Sequence, residues 1–231
     1  AAERLRQLPE KARADLHAQP DFFTLAAPEM LKLHLSDPEP LLDGYLHYYS
    51  AALAHPDTLL QILLSELPWH SDSIRVYGKE HTIPRRQCWL GDTGLNYTYS
   101  GKTLQPLAWH PRLKTLNHEL NQALGLANNS VLCNLYCNGQ DTMGWHSDDE
   151  PELGPAPVVV SVSLGAERDF ALRRKGQSRM YGKLPLAHGS VLVMNAGMQT
   201  CWQHALPRRA GIEAARINLT FRCLANPAPL F

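Results

Sequence analysis

Leu5, Leu8, Ala12 and Leu16 recur at the spacing of one helix face, which predicts that the chain opens with a helix. The stripe gives way to Ser36-Asp37-Pro38-Glu39-Pro40, a proline-punctuated stretch that reads as a linker. Residues 1–40 are therefore expected to form a helical N-terminal extension and residues 41–231 the main domain. Two further stripes follow. Leu60, Leu63, Leu64 and Leu67 repeat at i, i+3, i+4 and i+7, with Asp57 placed to cap that helix. Leu113, Leu116, Leu120 and Leu124 make the second core-facing helix, and between the two, Ser73–Lys79 and Tyr97–Ser100 look extended.

From Ser130 onward the helical period disappears. Val131–Tyr136, Val158–Leu164, Phe170–Arg173, Val191–Met194 and Ile217–Phe221 are short apolar runs, punctuated by Gly139, Gly154, Gly165, Gly176, Gly189 and Gly197. Many short strands at this spacing predict a double-sheet β architecture. The expected fold class is α+β, mainly β: a jelly-roll core (double-stranded β-helix) with supporting helices.

Composition narrows the classes open to such a chain. Its 231 residues suffice for one domain with a substantial core, and 44% apolar with 19% charged residues is a globular balance. No apolar run approaches the roughly 20 residues that cross a bilayer. The polar start Ala1-Ala2-Glu3-Arg4 does not read as a signal peptide. Cys88, Cys133, Cys137, Cys201 and Cys223 are scattered, with no Cys-x-x-Cys pair, so neither a disulfide framework nor structural zinc is expected. A reducing intracellular compartment fits best: cytoplasmic, or nuclear in a eukaryote. Formal net charge is zero, so a nucleic-acid partner would have to meet positive charge gathered on one face.

The candidate chemistry starts at Gly144-Trp145-His146-Ser147-Asp148-Asp149-Glu150. In an extended chain, side chains two apart share a face, so His146 and Asp148 can reach one ion. The third ligand must come from another strand, and His204 leads over His188, His110 and His118. Two imidazoles and a carboxylate on one octahedral face make the facial triad of non-haem Fe(II) oxygenases. A lone His-x-Asp is weak evidence, since a solvated loop offers the same residues.

The second constellation is Arg216-Ile217-Asn218-Leu219-Thr220-Phe221-Arg222. As a strand it puts Ile217, Leu219 and Phe221 on one face and Arg216, Asn218, Thr220 and Arg222 on the other. Paired guanidinium forks suit a dicarboxylate. Asn134 and Tyr136, alternate positions of the strand before the His-x-Asp turn, can donate to the same ligand. An amphipathic edge strand explains either run alone; together they match a metal with open positions beside a dicarboxylate pocket, the requirement of 2-oxoglutarate chemistry.

Asn134-x-Tyr136, His146-x-Asp148-Asp149-Glu150, His204 and Arg216-x-Asn218-x-Thr220-x-Arg222 together resemble the AlkB family of nucleic-acid dealkylating dioxygenases, from about Leu41 to Arg222. Pro84-Arg85-Arg86, Tyr97-Thr98-Tyr99-Ser100-Gly101, Ser161-Val162-Ser163-Leu164-Gly165 and Leu186-Ala187-His188-Gly189-Ser190 carry the resemblance further. It is nearest the branch acting on duplex DNA, with Val76-Tyr77-Gly78-Lys79 where that branch carries a Val-Phe-Gly-Lys finger. Tyr77 replaces the Phe, and Trp145 stands where that branch has Glu.

The resemblance implies Fe(II) held by His146, Asp148 and His204, with 2-oxoglutarate and O2 as cosubstrates. It implies a DNA partner, duplex or single-stranded, with RNA as the alternative, carrying 1-methyladenine or 3-methylcytosine. A monomer with no membrane partner is expected. The target base would be flipped out, with Tyr77, Gly78 and Lys79 as a wedge and Tyr97, Thr98 and Tyr99 lining its pocket. Asp149 and Glu150 would face the base. The bland alternatives are a hairpin-tip aromatic, core tyrosines and a turn aspartate. Lys79, Arg85, Arg86, Arg112, Lys114, Arg173, Arg174 and Lys175 are candidates for phosphate contact. Two other functions compete: an oxygenase of a protein or small molecule, and a nucleic-acid-binding module without catalysis.

Overall fold

Alternation along the strands decides how the molecule is layered. The computed structural model describes residues 31–76, 79–99 and 102–225, so the expected helix of Leu5 to Leu16 lies outside the described residues. The first half contains β1 (Glu39–Leu41), β2 (Leu46–Tyr49), α1 (Pro56–Glu66), β3 (Ser73–Val76), β4 (Lys79–Thr82), β5 (Arg86–Gly91), β6 (Tyr97–Tyr99), β7 (Lys102–Leu104) and α2 (Pro111–Leu124). Then come β8 (Ser130–Tyr136), β9 (Met143–His146), β10 (Val159–Gly165), β11 (Arg168–Arg174), β12 (Gly182–Leu186), β13 (Ser190–Met194), α3 (Met198–Cys201), β14 (Trp202–Leu206) and β15 (Arg216–Arg222).

Seven strands pair in the order β1-β2-β13-β10-β15-β8-β5 and four in the order β12-β11-β14-β9, all antiparallel. Two hairpins, β3–β4 and β6–β7, stand outside these sheets. This is the expected double-sheet core. Within the run from Ser73 to Lys79, Ser73–Val76 is the extended β3 and Lys79 opens its antiparallel partner β4.

One face of the large sheet is covered by helices. Val131, Cys133, Leu135, Val160, Val162, Ile217, Leu219 and Phe221 are buried there against Leu59 and Leu63 of α1 and Leu113, Leu116 and Leu120 of α2. Each such leucine contributes roughly 2 kcal/mol through its removal from water. The opposite face meets the small sheet, where Leu46, Tyr48, Val159, Leu192 and Met194 pack on Phe170, Leu172, Leu186 and Trp202. Because side chains alternate along β8 and β15, the residues between the helix-facing ones point into the space between the sheets.

Three local readings are corrected. Asp57 does not cap α1: His55 is the N-cap, Pro56 takes the first turn, and Asp57 instead accepts from His188 Nε2 at 3.1 Å. The α1 face is rotated, with Leu59 and Leu63 fully buried and Leu60 and Leu64 packed at its edge. Of Ser36–Pro40, Glu39 and Pro40 already belong to β1, and upstream of the stretch Leu31 is wholly buried in the helix-side core.

Candidate functional site

The pairing of β14 with β9 sets His204 directly opposite His146. Their rings stand 4.2 Å apart between centroids, and Phe170 stacks on His204 at 4.9 Å. His146 is the last residue of β9, so Asp148 lies beyond the strand rather than two positions along it. Two hydrogen bonds bring it back. Ser147 Oγ donates to the Trp202 carbonyl at 2.9 Å, and the Asp148 N–H donates to Gln199 Oε1 at 2.9 Å. One ligand atom from each of His146, Asp148 and His204 then lies within 4.8 Å of the others.

The electrostatics suit a cation. Burial alone would raise the Asp148 pKa, yet the Arg222 guanidinium, with both histidines, outweighs it and holds the carboxyl below its ordinary value. Arg222 donates directly to Asp148 Oδ1. Burial, reinforced by His146, pushes His204 down to about 3, so its ring is neutral and its lone pair available. His146 Nδ1 lies 2.9 Å from the Gly144 carbonyl, which favours a proton there and leaves Nε2 to ligate. The buried, neutral His204 and the half-buried His146 beside an ionised carboxylate are the donor set a divalent iron requires.

The pocket beside this cluster is lined by Asn134, Tyr136, Arg216, Asn218, Thr220 and Arg222, together with the three candidate ligands. All six residues read from the two strands therefore meet at one place, on adjacent β8 and β15. Arg216 is only 2% exposed. Burial pulls its pKa down to about 10, which leaves it a cation at neutral pH. Its Nη2 donates to Ser163 Oγ at 2.9 Å and to Asn218 Oδ1 at 3.2 Å, while Nε finds no hydrogen-bond acceptor among the described residues. A buried guanidinium without an acid is a strong demand for an anionic ligand. Asn218 passes the network on, its Nδ2 donating to Thr220 Oγ1 at 2.8 Å. Phe170, Leu186 and Met194 supply the apolar wall.

The expected substrate residues divide. Asp149 lies next to Asp148, half exposed and paired with Lys175. Glu150 precedes the short turn Pro151–Leu153. Tyr77 and Gly78 lie outside the described residues; Lys79 opens β4, and Tyr97, Thr98 and Tyr99 form β6. Of the basic candidates, Arg85 turns inward, its Nε donating to Asn134 Oδ1 at 2.8 Å, so it belongs to the pocket network rather than to a phosphate surface. Arg112 and Lys114 sit on α2, the helix covering the far face of the large sheet. Arg173, Arg174 and Lys175 close β11 near the metal cluster, with Arg173 stacked 4.5 Å over Trp145 and Arg174 4.7 Å over Trp202. Arg86 is exposed at the start of β5. Of the competing histidines, His118 is exposed on α2, and His188 and His110 are structural. His188 accepts the Gly165 N–H at 2.8 Å, and His110 accepts the Arg112 N–H at 3.3 Å as the cap of α2.

Sequence reasoning missed Gln199, Ser161, Ser163 and Arg168. Polar residues inside strands or short helices look like surface until the packing is known; the one signal available was Ser161-x-Ser163 within an otherwise apolar run.

Comparisons with known proteins agree with the geometry. The family model of the 2OG-Fe(II) oxygenase superfamily matches residues 43–222. The chain is 43% identical over 179 residues to the human DNA oxidative demethylase ALKBH2, covering 73% of this chain and 69% of that protein. Bovine ALKBH2 is 42% identical, with 73% and 64% covered. The human alpha-ketoglutarate-dependent dioxygenase alkB homolog 3 is 39% identical over 175 residues, with 72% and 60% covered. The chain thus spans about two thirds of the relatives it matches. Among solved structures, OsALKBH1 superposes with a TM-score of 0.53 at 19% identity, over 82% of this chain and 99% of that one, which supports the fold.

Proposed function

Because the chain belongs to the 2OG-Fe(II) oxygenase superfamily, and within it to the AlkB family, we propose that it oxidatively demethylates 1-methyladenine and 3-methylcytosine in DNA. His146, Asp148 and His204 would hold the iron. Arg216, backed by Asn218 and Thr220 and flanked by Asn134 and Tyr136, would take the far carboxylate of 2-oxoglutarate. Arg222, bound to Asp148, lies toward the metal end of the pocket. When bound, Fe(II) with 2-oxoglutarate and O2 would supply the oxidation that converts N–CH3 to N–CH2OH with release of succinate and CO2; the cationic hydroxymethyl base then loses formaldehyde and a proton to leave the unsubstituted ring nitrogen.

The chain's own residues do the positioning. The Gly144 carbonyl orients the His146 ring, and the Phe170 ring packs against His204. Arg222 keeps Asp148 anionic and fixed, while Phe170, Leu186 and Met194 keep water from the reacting end. Asp149, exposed beside Asp148, suits the exocyclic amine of a cationic methylated base. A base inside a duplex must leave the stack to reach this pocket, and methylation that blocks pairing makes its exit easier. Tyr77, Gly78 and Lys79 are assigned to the wedge, Tyr97, Thr98 and Tyr99 to the base pocket and Glu150 to the rim. The monomer is taken as the working unit.

The observation that carries this reading is the buried Arg216, with no acid paired to it among the described residues, in the same pocket as the His146–Asp148–His204 cluster. The test supplies duplex DNA, single-stranded DNA and RNA bearing 1-methyladenine, with Fe(II), 2-oxoglutarate and oxygen. Formaldehyde and restored adenine are expected from at least one DNA substrate and not from the His146→Ala protein. Equal product from that variant, or none from any DNA, sinks the reading.

A further inference from the structure

Two buried arginines share the ring of Tyr136. The guanidinium carbon of Arg216 lies 5.6 Å from the ring centroid and that of Arg168 lies 5.9 Å from it. Arg216 and Tyr136 line the pocket, whereas Arg168 stands behind them and is 1% exposed. Its bonds all go to main-chain carbonyls. Nη1 donates to Asn138 at 3.1 Å, and Nη2 donates to Asp141 and to Pro207, both at 2.8 Å. The neighbouring acid, Asp169, is engaged by Lys183 and Arg209 instead.

Those carbonyls belong to two loops, one joining β8 to β9 and the other joining β14 to β15. The loops are also joined main chain to main chain. Gly139 N–H donates to the Ile212 carbonyl at 2.7 Å, and Arg209 N–H donates to the Gly139 carbonyl at 2.8 Å. Tyr136 ends β8 immediately before the first loop, and Arg216 begins β15 immediately after the second. Arg168 thus ties the loop that follows Tyr136 to the β14 end of the loop that leads to Arg216. Burying a guanidinium among carbonyls alone is costly, yet those carbonyls take from it the donor that a neutral apolar residue would not supply.

We propose that Arg168 is a positioning residue that sets the length of the cosubstrate pocket. By holding the two loops in register and bracing Tyr136 beside Arg216, it selects a five-carbon keto diacid over its shorter and longer homologues. The inference rests on the cosubstrate reading above. A keto diacid must span from the metal cluster to Arg216, so a wall that yields by part of an ångström admits one methylene more or grips one fewer. A rigid pocket discriminates a single methylene by about 10- to 200-fold.

The test uses the full chain loaded with Mn(II) under anaerobic conditions and measures Kd for 2-oxoglutarate, oxaloacetate and 2-oxoadipate by calorimetry. The native protein is expected to bind 2-oxoglutarate at least about tenfold more tightly than either homologue. Arg168→Lys, which keeps the charge and loses the fork, should weaken 2-oxoglutarate about tenfold and the homologues less, with Mn(II) affinity unchanged. Arg168→Met should narrow the selectivity further; if it does not fold, the Lys variant decides. Native affinity and ranking in Arg168→Lys, or equal weakening of all three acids, overturns the proposal. A native protein that binds none of the three removes the cosubstrate reading itself, and a native protein that binds them with unaltered selectivity in the variant removes only the role of Arg168.

Discussion

Gln199 accepts the main-chain N–H of Asp148 at 2.9 Å, so an amide from the turn leading into β14 holds the loop that follows β9. Gln199 is 1% exposed, and its Nε2 rests against the Met194 sulfur at 3.4 Å. The two histidine-bearing strands are therefore tied at the carboxylate as well as through their own pairing.

Replacing Gln199 by Leu should preserve the fold while lowering metal affinity by about 10- to 100-fold, the usual effect of removing a group that orients a ligand. Titration of the metal-free protein with Co(II), followed by its visible absorption, measures this directly. Unchanged Co(II) affinity would show that Asp148 is positioned by other contacts.

Arg216→Met separates binding from stability. The native guanidinium is buried with no acid paired to it among the described residues, so the variant should be at least as resistant to urea in the absence of 2-oxoglutarate. A ligand at a hundred times its Kd should stabilise the native protein by about 2.7 kcal/mol and leave the variant unaffected. Equal stabilisation of both proteins counts against Arg216 as the carboxylate anchor.

Asp149→Asn removes a charge that, among the described residues, is paired with one exposed lysine. It should lower kcat/KM for an oligonucleotide bearing 1-methyladenine by about tenfold, the worth of one charge-assisted hydrogen bond, with KM for 2-oxoglutarate unchanged. A change confined to 2-oxoglutarate KM would refute a base-facing role.

Gly139 has no room for a side chain. A methyl there would lie 1.8 Å from the Arg209 carbonyl oxygen. Gly139→Ala should destabilise the fold by about 3 kcal/mol, because the two loops must separate to admit it. Thermal unfolding measures the loss, and a native Tm would mean that the loops part without penalty.

Periodicity alone made much of the molecule legible. The α2 stripe of Leu113, Leu116 and Leu120 and the split of β15 into an apolar and an arginine-bearing face follow from local geometry, since 3.6 residues per turn and alternation along a strand hold wherever the element packs. The weaker expectations failed where several local solutions compete: His55, Pro56 and Asp57 stand side by side where α1 begins, and the N-cap position went to His55 rather than Asp57.

By itself the sequence determined the element types, the mainly β class, the six polar positions of β8 and β15 and the three residues able to ligate a metal. Tertiary structure decided which of these meet. His204 faces His146 because of a strand register between distant segments, Arg85 turns inward to Asn134, and Gln199 and Arg168 are polar side chains made structural by burial. Register and burial depend on contacts between residues remote along the chain, and no local pattern of hydrophobic and polar positions encodes a partner of that kind.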